Sequence, residues 1–224
     1  MAQKSVAISK FIKQRYGAEI AKRWYSEPFK VLVGCMLSQR TREENTEAAC
    51  KALFAVASTP EQILKLSVPK LRQLIKPAGL AKHKAINIKR TCRIILEKYG
   101  GKVPANRELL LGLPGVGPKT ADVTLCYGFA QPCIPVDVHV NRISRRLGLV
   151  GKKIKLEQVG GELQNIFPKE DWHSINRGFV LFGREICLPR NPRCNACPLR
   201  TICKFGRASG KFNLTNNRCH RWSP

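Results

Sequence analysis

Apolar residues recur along this chain mostly three or four positions apart, with charged residues between them, and this spacing predicts helices nearly throughout. Lys4–Tyr16 and Ala18–Tyr25 read as an N-terminal helical arm, Pro28–Leu37 as an apolar buried helix, and Arg42–Val56 as its successor, with Ala48, Ala49, Leu53 and Phe54 on one side. Thr59-Pro60-Glu61-Gln62 is a helix start: a capping threonine, proline in the first turn and a reciprocal polar residue at the third position. Ser67-Val68-Pro69 opens a short helix, and Ala81–Tyr99 is a long one carrying Ile86, Ile88, Ile94 and Leu96 between basic residues and stopped by Gly100-Gly101. Asn106–Leu111, Pro118–Tyr127, Asp137–Leu147, Leu156–Phe167 and Asp171–Ile186 complete the set. No alternating strand pattern and no repeat is visible, so the expected fold class is all-α.

Charge narrows the choice of partner. Forty Lys and Arg against fifteen Asp and Glu leave a net charge of +25 in 224 residues, far more than solubility needs, and this points to a polyanion. No acidic residue follows Glu185, whereas Arg190, Arg193 and Arg200 do; Arg142, Arg145, Arg146, Lys152, Lys153 and Lys155 form a second basic cluster. Both flank the motifs below, which suggests that they track phosphates. There is no signal-peptide core, membrane span or lipidation motif, so the expected protein is an intracellular one that makes no membrane contact. Ten cysteines in such a chain suggest reduced thiols and a metal site rather than disulfides.

The chemistry concentrates at Leu113-Pro114-Gly115-Val116-Gly117-Pro118-Lys119-Thr120-Ala121. Two glycines in a short turn between helices permit positive φ and close approach of backbone to a ligand. The following helix N-terminus offers unpaired N–H groups to a phosphate oxygen. A tight connection between packed helices also uses glycines, but the whole string in so basic a chain favours nucleic-acid contact. Most lysines are solvated surface groups; Lys119, at the mouth of this helix, is placed to act as an amine nucleophile. Eighteen residues later Asp137 stands in Ile134-Pro135-Val136-Asp137-Val138-His139 and is able to N-cap the next helix, which would fix its carboxylate. His139 reads either as a solvent-facing residue of that helix or as a nucleic-acid contact.

Cys187, Cys194, Cys197 and Cys203 are separated by six, two and five residues in a proline-rich stretch suited to wrapping one metal centre. The single Cys-x-x-Cys pair and uneven spacing leave zinc and a [4Fe–4S] cluster both open, with an edge to the cluster. Cys35, Cys50, Cys92, Cys126 and Cys133 read as buried or isolated thiols, and Cys219 as a stray thiol in a polar tail.

These motifs, in this order and separation, resemble the endonuclease III family of DNA glycosylases, within the helix-hairpin-helix glycosylase superfamily. The resemblance covers about residues 27 to 205. It implies two helical domains with a DNA-binding cleft between them: a six-helix barrel with the hairpin over 27–132, and an iron–sulfur cluster domain from 1–26 and 133–205, followed by a basic tail over 206–224. It implies that a monomer binds damaged duplex DNA, with Gly115, Val116 and Gly117 holding the backbone. Lys119 would attack C1′, expel the base, form a Schiff base and nick the strand by β-elimination, assisted by Asp137. Oxidised pyrimidines are the implied substrates, and Cys187, Cys194, Cys197 and Cys203 would hold a [4Fe–4S] cluster. Leu80 maps to the family's wedge leucine and also reads as a core residue opening a helix; His139 maps to a DNA-contacting position.

The chain departs from the family in places. Where bacterial members carry a glutamine that enters the duplex, an ungapped reading puts Arg40, with Gln39 adjacent. Asp122 stands where asparagine is common. An adenine-mismatch glycosylase would need a carboxylate around Gly34–Met36, which is absent, and a thymine-mismatch enzyme typically differs at the Lys119 position. A non-catalytic hairpin module would not need Lys119 and Asp137 together.

Overall fold

The computed structural model describes residues 2–21 and 27–209. The end of the expected N-terminal arm (22–25) and the tail from 210 onward, Cys219 included, lie outside the described residues. Among those described there are helices and turns and no strands, and no helix is long and apolar enough to cross a membrane. The chain folds as two compact units that change over between residues 131 and 132, residues 2–21 belonging with 132–209.

The continuous unit holds α2 (Pro28–Ser38), α3 (Glu43–Phe54), α4 (Pro60–Lys65), α5 (Val68–Leu74), α6 (Ala81–Tyr99), α7 (Arg107–Leu111) and α8 (Pro118–Val123). The apolar α2 is central, touching α3, α6 and α8, and its Leu32, Val33, Met36 and Leu37 are buried. On α6 the inward stripe is Ala85, Ile88, Cys92 and Ile95, at the helical interval, while Ile86, Ile94 and Leu96 are only partly covered. Burying each such aliphatic side chain contributes roughly 1.5–3 kcal/mol. Thr59 caps α4 as expected, accepting from the Gln62 N–H; the Gln62 side chain accepts from the Ser58 N–H at 2.7 Å, one residue before the cap, and Ser67 caps α5. Gly100, at φ 59°, stops α6 in the left-handed conformation.

One expected helix changes character. Pro118–Tyr127 is α-helical only to Val123; Thr124–Gly128 is a π turn. The wider turn carries Gly128 against α2, where a Cβ would stand 2.9 Å from the Pro28 Cα.

The second unit holds α1 (Ala2–Ala21), α9 (Val138–Leu147), α10 (Val159–Ile166), α11 (Trp172–Glu185) and α12 (Lys204–Ser209). The arm is one helix through Gly17. Ile8, Ile12 and Tyr16 lie four apart on the face that packs against α11, and this packing outweighs the cost of one helical glycine, about 1 kcal/mol. Phe11 meets Phe182 edge-on at 5.5 Å, and the Tyr16 hydroxyl donates to Glu185 at 2.7 Å. The α12 helix, not expected from the sequence, takes in residues 206–209 of the expected tail.

At Gly178 on α11 an added Cβ would lie 2.2 Å from the Ile12 Cγ2 of α1, whereas at Gly17 it would meet nothing within 4 Å. We expect Gly178→Ala to cost about 1–3 kcal/mol in urea unfolding, and Gly17→Ala to be neutral or stabilising by up to about 1 kcal/mol. Equal stability of the two variants would contradict this packing.

Candidate nucleic-acid interface and catalytic residues

The hairpin is α7, the turn 112–117 and α8. Asn106 caps α7 by accepting from the Leu109 N–H at 3.0 Å. Leu113 and Val116 are buried and anchor the turn to the core of their unit. Gly115 has φ 79°, and a Cβ there would lie 2.9 Å from the Asn87 Nδ2 on α6. Gly117 differs from expectation: its φ is −100°, an ordinary value, and a Cβ would face open space. The turn's carbonyls are taken up from inside the unit. Thr91 donates to the Pro114 oxygen at 3.0 Å, and the Gln39 amide donates to the Gly115 oxygen at 2.8 Å and to the Thr120 hydroxyl at 3.3 Å. Gly117 at the N-cap of α8 supplies no side-chain cap, so the donors of this first turn are not claimed by a capping side chain. Arg107 donates to Asp122 at 2.7 Å, an ion pair that braces α7 against α8 and raises the arginine's pKa. That is the role found for the aspartate where asparagine is common.

Lys119 is exposed in the first turn of α8. Its charge is felt at Cys35 on α2: burial pushes the Cys35 thiol up to about 11, partly offset by Lys119. The α2 position that lacks a carboxylate therefore carries a neutral thiol within electrostatic reach of the amine.

Arg40 and Leu80 sit on two loops of the same unit. Both are exposed and both have positive φ, 54° and 47°. Leu80 is 57% exposed, so it is not a core residue. A left-handed backbone at a non-glycine residue costs about 1–2 kcal/mol and persists where the surroundings impose it.

In the other unit Asp137 is the N-cap of α9. Its Oδ1 accepts from the N–H groups of His139 and Val140, both at 2.8 Å. His139 is half-buried, and burial lowers its pKa, so its ring is neutral near pH 7. The Arg142 guanidinium lies 3.0 Å from Nδ1; arginine only donates, so the ring proton sits on Nε2. Gly183 makes room for this pair, since a Cβ there would be 2.5 Å from Nδ1. Arg142 also donates to the carbonyls of Gly183 and Cys187. Arg145 donates to Asn141, Gly151, Lys152 and Ile154, and Arg146 to Leu188 and Pro189. These three arginines, expected to track phosphates, hold loops together instead; Lys152, Lys153, Lys155, Arg190 and Arg193 are exposed.

Cys187, Cys194, Cys197 and Cys203 line one cavity together with Leu147, Phe182, Ile186 and Phe205. Arg146 donates to the Cys187 sulfur at 3.4 Å and the Gly206 N–H to the Cys203 sulfur at 3.3 Å. Burial pushes the Cys197 thiol up to about 11, and the neighbouring cysteines add to the rise. Among the described residues no group of three or more His, Cys, Asp or Glu is set to hold a single metal ion.

Residues 33–169 match the family model described as the HhH-GPD superfamily base excision DNA repair protein. The chain belongs to this superfamily. Endonuclease III of Thermotoga maritima is 46% identical over 88% of this chain and 95% of its own length, and endonuclease III of Escherichia coli K12 is 38% identical over 81% and 85%. Among solved structures, a trapped covalent intermediate of endonuclease III with DNA superimposes with a TM-score of 0.86 at 32% identity, covering 94% of this chain and 99% of that one. A thermostable thymine-DNA glycosylase follows at 0.83 and 25% identity, covering 92% and 98%. The chain is thus a member of the endonuclease III family.

Within this endonuclease III fold, sequence reasoning missed the residues that hold the hairpin: Asn87, Thr91 and the Arg107–Asp122 pair. The available signal was that Asn87 and Thr91 lie one helical turn apart on α6, a polar face on a helix read only for its isoleucines. We expect Gly115→Ala to lose about 1–3 kcal/mol of stability through strain and the Asn87 contact. Gly117→Ala should unfold like the native chain, because its new methyl group would meet nothing within 4 Å. Equal unfolding midpoints for the two variants would refute the different roles of these glycines.

Proposed function

We propose that this endonuclease III family member removes oxidised pyrimidines from duplex DNA and then nicks the abasic site, with Lys119 as its nucleophile. The observation that carries the reading is an exposed lysine in the first turn of a helix whose N-terminus has no side-chain cap and whose preceding turn is fixed from within. Such a turn is suited to fixing a sugar–phosphate backbone through N–H groups, which sets the amine beside the sugar. The neutral amine attacks C1′ while the base departs with the glycosidic electron pair. The sugar ring opens to an iminium, loss of a C2′ proton expels the 3′ phosphate, and water returns the amine. A related endonuclease III trapped covalently on DNA supports this route. Asp137, fixed by its cap, supplies negative charge to balance the cationic sugar and accepts a proton. His139 offers its Nε2–H to a phosphate oxygen.

Extruding the nucleotide costs roughly a few kcal/mol and leaves a gap in the stack. Leu80 is the apolar wedge for that gap. Gln39 is engaged by the hairpin, which leaves Arg40, exposed and left-handed, to meet the opposite base. Cys187, Cys194, Cys197 and Cys203 would hold the family's [4Fe–4S] cluster. Four cysteine sulfurs around one cavity, with N–H donors on two of them, fit such a group. Through these four cysteines the loop that bears Arg190 and Arg193 would be held in place.

Lys119→Ala should keep duplex affinity nearly unchanged and lose the adduct that borohydride traps on an abasic duplex; an adduct persisting in that variant would assign the chemistry to another amine. The purified chain should absorb broadly in the visible, with about four irons per chain. A colourless protein with stoichiometric zinc would overturn the cluster.

A further inference from the structure

Lys84, on the first turns of α6, is only 5% exposed. Its ammonium donates to the carbonyls of Leu37 at 2.7 Å, Gln39 at 2.9 Å and Ala78 at 2.8 Å, and to the Thr41 hydroxyl at 2.8 Å. Thr41 in turn donates to the Ala78 carbonyl at 2.5 Å. These acceptors come from two loops. Leu37, Gln39 and Thr41 bracket Arg40 at the end of α2, and Ala78 stands two residues before Leu80. One buried cation therefore joins the only two described loops of this unit, apart from that of Ala130, that carry a non-glycine residue at positive φ.

Burying a cation among neutral oxygens is costly, and burial draws the Lys84 pKa down. An apolar side chain of similar length would fill the space at less cost. What the apolar side chain could not do is satisfy three carbonyls and a hydroxyl that converge from separate segments. The location also suits a cation, since Leu37 lies at the C-terminal, negative end of α2.

We propose that Lys84 is a positioning residue for lesion recognition, its ammonium tying the Arg40 loop to the Leu80 loop so that both side chains enter the duplex as a fixed pair. The inference rests on the reading of Arg40 and Leu80 as the residues that fill the gap.

The test uses the full chain and two single-turnover reactions: release of an oxidised pyrimidine from a duplex, and β-elimination at an abasic site in a single strand, which has no partner strand to open. Lys84→Met should slow the duplex reaction about tenfold or more while changing the single-strand reaction by no more than about twofold. Thr41→Val, which removes one acceptor and keeps the cation, should show the same selectivity with a smaller loss, and it carries the test if Lys84→Met does not fold. In a chain already bearing Arg40→Ala and Leu80→Ala, Lys84→Met should add no further loss. Equal losses on both substrates, or an undiminished loss in the doubly substituted chain, overturn the positioning role and leave the wedge reading standing. If the Arg40→Ala, Leu80→Ala chain processes the duplex as fast as the native one, the wedge reading fails and the inference fails with it.

Discussion

The helix that carries Lys119 is aimed by the hydrogen bonds that its preceding turn makes to α6 and to the residue that follows α2. The Pro114 and Gly115 carbonyls are held by Thr91 and Gln39, and Gly115 lies so close to Asn87 that only glycine fits without displacement. The turn's acceptors thus face inward and are satisfied. Lys119, in the first turn of α8, is exposed. If any of these holds were released, the amine would remain exposed but would no longer be fixed in direction, and the role of nucleophile proposed for it depends on direction.

The same division between inner and outer polar groups recurs across the molecule. A net charge of +25 suggests a surface given over to phosphate, yet Arg142, Arg145 and Arg146 direct their guanidiniums to backbone carbonyls, and Lys84 is buried among four oxygens. Planar guanidinium groups with several donors suit this work, because one side chain can hold several loop carbonyls at once. The exposed lysines and Arg190 and Arg193 carry the charge that a polyanion would meet. Net charge identifies the partner's sign; it does not say which cations touch it.

Much of this was legible in the sequence, for reasons that can be named. The caps at Thr59 and Asp137 are local: a short polar side chain bonds to an N–H two or three residues on. The hairpin glycines and the cysteine quartet are likewise local strings. Lys84, Asn87, Thr91, Arg142 and Arg107 were not legible in their roles because their partners are brought to them by the fold, as with the Leu37 carbonyl 47 residues from Lys84. Nothing in the sequence shows which lysine of a basic helix turns inward. The continuity of α1 through Gly17 and the π turn at Thr124–Gly128 were missed for a related cause: packing against α11 and α2 decides them. Of the two uses of glycine read at Gly117, positive φ is absent, since its φ is −100°.

The central claim is that one particular amine bonds to the sugar. Reacting the native chain with an abasic duplex, reducing with borohydride, digesting it and sequencing the modified peptide by mass spectrometry locates that amine. The account predicts a deoxyribose remnant on Lys119 alone; a remnant on any other lysine, with Lys119 unmodified, would contradict it.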